Sequence, residues 1–436
     1  MSIIDNLFNY INIFQEFYWN YVGWLLICFT GIYLTIKSRG LQFRALYNFR
    51  KNIKEIFADG KGKEGMHPLK LYFASVGGMV GIGNIVGISV ALMIGGPGSI
   101  FWTIIASIFG TLLKYSEIYL GVKHRVKNKY GGLDGGPMYY LQDAFKSKFI
   151  ASLFAVFLCI YGAEVYQFVI LVDRIESSFT FDRHLVVFGL LMAVIYSAFG
   201  GINRIANICS VIMPVFMISY VIMSIYIIIQ NADYLPEFLG LVVKSAFTKQ
   251  AGIGGFLGSS MIVAMHYGMS KAVYSGDIGI GYDSIVQSET RVTDPTKQAT
   301  FAIYSLFTDT FICIITNLML GVTGAWYKLQ DLQTIDIVPA TFSNYFPYSD
   351  IFVTLLLFFA GFTTVIGFLA VGIKCARFLS PKYGKIIYLI YAPISFIFCS
   401  NFSPDKLFII MDFVSGILVL LSIAGILKLR KEIKFN

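Results

Sequence analysis

Charge is what this sequence has least of. Only 14% of its 436 residues are Asp, Glu, Lys or Arg, while 56% are apolar or aromatic; a soluble domain carries about 25% charged and about 45–50% apolar residues. With a mean hydropathy of +0.70, the excess cannot be hidden in a water-soluble core. That excludes a cytosolic enzyme and leaves a polytopic membrane protein. Cysteine is sparse as well: Cys28, Cys159, Cys209, Cys313, Cys375 and Cys399 stand singly in or beside apolar runs, with no CxxC spacing. Neither a disulfide framework nor a zinc site follows. His67, His124, His184 and His266 lie far apart, and no HExxH, Walker GK[ST] loop or GxSxG elbow occurs. No cofactor and no motif-borne catalysis are expected. The net charge of +9 lies between apolar runs rather than in one patch, so it reads as a topology signal and not as a nucleic-acid surface.

A hydrocarbon core about 30 Å thick takes roughly 20 helical residues to cross. Runs of that order lie at Trp19–Ile36, Phe73–Ile94, Ile100–Val122, Ile150–Val172, Leu185–Phe199, Ile208–Ile229, Gly252–Val273, Phe301–Val322, Ile351–Ile373, Ile386–Cys399 and Leu407–Leu427. These predict eleven crossings, the fifth and tenth short. No Lys or Arg precedes Lys37, and Asp5 and Glu16 lie before the first run, so a signal peptide is not expected and the first span is retained. With the N-terminus outside, segments 37–70, 123–149, 200–207, 274–300, 374–385 and the tail from Lys428 carry 27 Lys and Arg, counting Lys271 at a loop edge, against 6 in the outer segments. That bias predicts an integral plasma membrane protein of the bacterial inner-membrane kind, surrounded by lipid, with its C-terminus cytoplasmic.

Ten spans follow the first, and the second and seventh correspond. The second holds Gly77, Gly78, Gly81, Gly83 and Gly87; the seventh holds Gly252, Gly254, Gly255, Gly258 and Gly268. Five spans apart, they cross in opposite directions. Paired Gly-interrupted helices in two inverted halves point to a secondary transporter with its site at the bilayer midplane. The same glycines also suit small-residue helix packing. The expected organisation is an N-terminal helix with a basic loop (1–70), a first five-helix repeat (71–250) and a second (251–436).

Several motifs resemble one family. Val80-Gly81-Ile82-Gly83-Asn84-Ile85-Val86-Gly87, Gly95-Gly96-Pro97-Gly98, Phe101-Trp102, Lys114 with Glu117, Gly135-Gly136-Pro137-Met138-Tyr139-Tyr140, Asp309-Thr310 and Phe362-Thr363-Thr364-Val365-Ile366-Gly367 together resemble the alanine or glycine:cation symporters. The resemblance covers about residues 70 to 375 and implies an all-α fold, the leucine-transporter-like five-plus-five inverted repeat with two broken helices and one extra helix. The chain departs from the family pattern at Ile82, at Ser275-Gly276-Asp277-Ile278-Gly279, at Phe368 and at Ile373.

An unwound stretch frees carbonyls and N–H groups that need partners inside the membrane. Gly77–Gly83 offers carbonyls to a hard cation, and Asn84 adds a side-chain oxygen; sodium wants about five or six oxygens. The resemblance implies that Thr363 and Thr364 complete a sodium site with Gly77, Val80 and Asn84. The alternative for each Thr is a bond to its own helix carbonyl. A substrate carboxylate suits free N–H groups at half-helix starts, here Gly81, Ile82 and Gly83 on one helix and Gly255 to Ser259 on the other. The family likeness adds Gln167, Tyr274, Thr364 and Phe368 to the substrate pocket. Among ionisable residues at membrane depth, Lys114 and Glu117 read as an i,i+3 pair, Asp309 and Asp412 as partners of backbone or hydroxyl donors, and His266 as a satisfied polar contact. Glu164, three residues before Gln167, has three readings: a partner for the substrate ammonium or a cation, a proton carrier, or a protonated structural group.

The leading function is sodium-coupled symport of a small neutral amino acid, with sodium as coupling ion. The alternatives are a proton-coupled amino acid transporter and a non-transporting amino acid sensor. An ion channel lacks its continuous polar series, and an intramembrane enzyme lacks a nucleophile and base at usable spacing.

Overall fold

The computed structural model describes residues 3–59, 64–128, 132–248 and 261–435. Nearly everything in it is helix. The first span runs through α1 (Ile3–Phe17), a π-helical turn (Tyr18–Gly23) and α2 (Trp24–Ser38). Two short helices follow, α3 (Leu41–Tyr47) and α4 (Phe49–Asp59). The second span is split: α5 (Pro68–Met79) and α6 (Val86–Gly95) flank a 3-10 turn, Ile82–Asn84, and the two halves are bent by 59°. Then come α7 (Gly98–Lys123), a two-stranded hairpin of β1 (Val126–Lys127) and β2 (Leu133–Asp134), and α8 (Pro137–Phe145).

The fourth span is α9 (Lys148–Tyr161) and α10 (Val165–Phe179), followed by α11 (Arg183–Ala198), α12 (Gly201–Gln230) and α13 (Leu235–Phe247). Beyond residue 260 come α14 (Met261–Gly276), α15 (Tyr282–Gln287), α16 (Pro295–Val322), α17 (Ala325–Lys328), α18 (Thr334–Ser343), α19 (Ser349–Leu379), α20 (Gly384–Cys399) and α21 (Pro404–Lys428). Start signals are local. Asp294 accepts the Thr296 N–H at 2.9 Å ahead of Pro295, and Asp182 accepts from His184 and Leu185.

Among the described residues seven helices are long and apolar enough to cross a membrane, and the bent α5–α6 pair is long and apolar enough for an eighth when taken as one broken span; α11 and α20 are shorter apolar helices. With α14, a helix occupies each of the eleven expected positions. Membrane-facing side chains such as Phe188, Val211, Ile218, Ile390 and Ile394 are exposed and apolar, as lipid contact demands.

Contacts sort the connecting segments into two sets. At one end Lys70 bonds Asn207 at 2.9 Å, the Met66 N–H bonds the Glu289 carbonyl at 2.8 Å, Lys374 pairs with Asp134 at 3.0 Å and Lys123 with Glu432 at 2.6 Å. At the other end Arg174 pairs with Asp336 at 2.8 Å, Arg183 bonds the Ser400 carbonyl at 2.8 Å and Asn231 bonds Tyr345 at 2.7 Å. The first set consists of the segments expected inside, the second of those expected outside. Lys271 belongs to neither: it is 2% exposed within α14 and pairs with Asp412 at 2.8 Å, which corrects both its count as a loop residue and the expected backbone or hydroxyl partners of Asp412.

Candidate substrate and cation site

The first break is built from its own sequence. Val80 leaves helical geometry with ψ 81, and Gly81 is extended at φ −123 and ψ −153. Asn84 closes the turn by accepting the Gly81 N–H on Oδ1 at 3.0 Å, and the Ile82 N–H donates to Gln167 Oε1 at 3.3 Å. Gly81 must be glycine for space: a Cβ there would overlap the Thr364 hydroxyl and come within 2.7 Å of Gln167 Oε1. Gly83 faces the Tyr274 ring in the same way.

The fourth span breaks opposite. Glu164 was expected inside a continuous helix; instead it is left-handed at φ 49 and caps α10 after Gly162 and Ala163. A non-glycine residue in that conformation is strained and marks a site where the surroundings over-determine the backbone. Its carboxylate accepts from the Tyr274 hydroxyl at 3.0 Å, and that hydroxyl in turn accepts from Gln167 Nε2 at 3.2 Å. So Ile82, Gln167, Tyr274 and Glu164 form one buried hydrogen-bonded series linking the first break, the fourth span and α14.

The residues expected to hold sodium fall into two groups. Thr364 donates to the Gly77 carbonyl at 3.2 Å and lies 3.1 Å from the Ala360 carbonyl of its own helix, joining α19 to the end of α5. Thr363 donates to its own helix, at 2.9 Å to the Phe359 and Ala360 carbonyls, and reaches the Met213 sulfur of α12 at 3.5 Å. Asn84 bonds a different set of groups: its amide donates to Asp309 Oδ1 at 2.5 Å and reaches Cys313 at 3.2 Å, while Ser275 donates to Asp309 Oδ2 at 3.3 Å. Phe368 lies one turn along α19 from Thr364, stacked on Tyr282 at 4.3 Å.

The seventh helix breaks after Gly276, where Asp277, Gly279 and Gly281 all have positive φ. Gly268 lies inside α14, whereas Gly252, Gly254, Gly255 and Gly258, with the carboxylate site expected at Gly255 to Ser259, lie outside the described residues. Asp277 caps α15 by accepting from the Tyr282 and Asp283 N–H groups at 3.1 and 2.7 Å. Lys114 is fully buried and reaches this break, donating to the Gly276 carbonyl at 2.9 Å and pairing with Asp283 at 3.2 Å and Asp277 at 3.5 Å. Glu117 accepts from the Gly279 N–H at 3.2 Å and from Ser422. The i,i+3 pair expected of Lys114 and Glu117 is therefore replaced by two separate attachments to one break. His266 is satisfied by Asn20 at 2.8 Å. Asp283 and Tyr161 escaped sequence reasoning; Lys114 was the signal for the first, since a buried ammonium needs carboxylates.

The family model described as the sodium:alanine symporter family matches residues 4–435. An uncharacterized transporter of Haemophilus influenzae is 30% identical over 96% of this chain and 93% of its own length. The sodium/alanine symporter AgcS of Methanococcus maripaludis is 27% identical over 96% of this chain and 94% of its own. In fold, the chain is similar to MhsT solved in complex with L-phenylalanine, with a TM-score of 0.58 at 17% identity over 83% of this chain and 88% of that one. Broken helices, a matched architecture and a family match over almost the whole length converge: the chain belongs to the sodium:alanine symporter family and is a membrane-embedded secondary transporter, not an enzyme.

Proposed function

We propose that this transporter carries a small neutral amino acid of the alanine or glycine type in symport with sodium, by alternating access of two inverted repeats, residues 71–250 and 251–436, around the broken helices. The observation that carries the reading is the bond from Thr364 to the Gly77 carbonyl, which brings a hydroxyl of α19 to a freed carbonyl at the first break. A cation between them gains ligands from two elements that separate during the cycle. The sodium and alanine in the name of the AgcS relative support the same assignment. Gly81, Ile82 and Gly83 receive the substrate carboxylate, displacing Gln167 Oε1 from the Ile82 N–H; Tyr274, Thr364 and Phe368 wall the pocket. The energetics suffice: one sodium entering down about −100 mV gains roughly 2.3 kcal/mol, and a tenfold gradient adds about 1.4 kcal/mol.

A second reading, proton coupling, is favoured by Asp309, a buried carboxylate held by an amide and a hydroxyl rather than by a basic side chain. Uptake of radiolabelled alanine and glycine into proteoliposomes, with sodium and proton gradients imposed separately, decides. Uptake driven by sodium alone supports the first reading; uptake driven by a proton gradient alone replaces it with the second.

A further inference from the structure

Glu164 is 1% exposed, strained, and bonded to the Tyr274 hydroxyl, yet among the described residues no Lys, Arg or His pairs with it. Aromatic rings surround it. Tyr161 and Tyr166 flank it in sequence and pack on Tyr274 with centroids 6.1 and 5.9 Å apart; Phe408 closes the far side, 4.6 Å from Tyr166 and 5.1 Å from Tyr274. The Tyr161 hydroxyl is fully buried and has no hydrogen-bond partner among the described residues. A buried hydroxyl without a partner leaves a desolvation cost that a ligand bond would remove.

A carboxylate, an open hydroxyl acceptor and several ring faces make up the chemistry that recognises an ammonium group: charge pairing, hydrogen bonding and attraction to the ring quadrupoles. The same cluster already holds one ammonium, since Lys271 Nζ lies 3.4 Å from the Phe408 ring centre. That ammonium is paired with Asp412 at 2.8 Å, so it leaves Glu164 without a countercharge.

We infer that Glu164, with Tyr161, Tyr166 and Tyr274, is the receptor for the amino group of the substrate, so that a protonated amine defines the substrate class. Zwitterionic and cationic amino acids are admitted. Amino acids with an acylated amine are refused for want of the charge, and those with a second carboxylate are refused because it would face Glu164. The inference rests on the amino acid transport reading and deepens it.

The test uses the full-length protein, purified and reconstituted, with thermal shift and radiolabelled uptake read for glycine, L-alanine, L-lysine, L-glutamate and N-acetyl-L-alanine. In the native protein at least one of glycine, alanine and lysine should raise the melting temperature and be taken up, while N-acetyl-alanine and glutamate should do neither. Glu164→Gln should weaken binding of the accepted amino acid at least tenfold and relax the discrimination against glutamate; Tyr161→Phe should weaken binding severalfold without changing the discrimination. The relaxed discrimination is the reading that a merely structural glutamate would not produce. If an amino acid is transported and Glu164→Gln keeps native affinity and native preference, the amine receptor is overturned while the transport reading stands. If no amino acid binds or is taken up by the native protein, both fall. Should Glu164→Gln fail to fold, Glu164→Asp, which keeps the charge on a shorter arm, must keep the exclusion of glutamate; its loss would overturn the proposal.

Discussion

At the scale of single residues, adjacent threonines on α19 have different fates, and the difference is testable. Thr364 reaches the Gly77 carbonyl at the first break, whereas Thr363 bonds its own helix and the Met213 sulfur, away from that break. If Thr364 is a cation ligand, Thr364→Val removes one of about six oxygens at near-constant volume and should raise the sodium concentration for half-maximal uptake about tenfold. Thr363→Val should change it by no more than about twofold, because only back-bonds to the helix and a weak contact to Met213 sulfur are lost. Equal effects of the two would place both hydroxyls at the ion. Gly81→Ala is the sharper steric probe. Its added methyl would collide with the Thr364 hydroxyl, and overpacking of that kind costs about 1–3 kcal/mol. A loss of substrate affinity of about tenfold or more is expected, measured by thermal shift, with the fold retained.

At the scale of elements, the second break is held by charge inside the membrane. Lys114 on α7 faces Asp277 and Asp283 around the start of α15, and removing one partner of a buried pair commonly costs about 3–5 kcal/mol because the other is left uncompensated. Lys114→Met should therefore lower the melting temperature markedly, and Lys114→Met with Asp283→Asn should recover part of the loss; absence of recovery would show that Asp283 is not the partner that matters. This break also shows how far the sequence could be read. Periodicity and length place all eleven helices, and the glycines of the second span mark the first break. The second break lies some twenty residues beyond the glycine cluster at Gly252–Gly258, because its unwinding is specified by Asp277 in a left-handed conformation and by Lys114 from a distant helix. The first is one residue whose conformation the sequence does not announce, and the second is not local. The break at Glu164 was hidden for a like reason: Gly162 alone is too common in membrane helices to announce it, and the Tyr274 hydroxyl that bonds the left-handed Glu164 lies far along the chain.

At the scale of the whole molecule, the expected eleven crossings, an odd number, would put the two termini on opposite sides of the membrane, and charge would select the sides. The end where Lys37 meets the Arg430 carbonyl, Lys123 meets Glu432 and Lys374 meets Asp134 and Glu289 gathers the segments rich in Lys and Arg. Excess basic charge within about 15–20 residues of span ends sets orientation toward the cytoplasm. Moving Lys271 from this count into the buried core leaves 26 Lys and Arg there against 6 at the opposite end, so the bias survives. Assembly itself supports the division, since the bonds described at each end join segments of one set. The N-terminus is therefore expected outside and the tail from Lys428 inside. A cysteine added at the N-terminus of a variant whose six native cysteines are replaced by serine or alanine should react with an impermeant maleimide in intact cells. A cysteine at Lys434 should react only after the membrane is permeabilised. Protection of the first with reaction of the second would invert the molecule; reaction of both in intact cells would make the number of crossings even and remove one of the two short spans, Arg183–Ala198 or Gly384–Cys399, from the membrane.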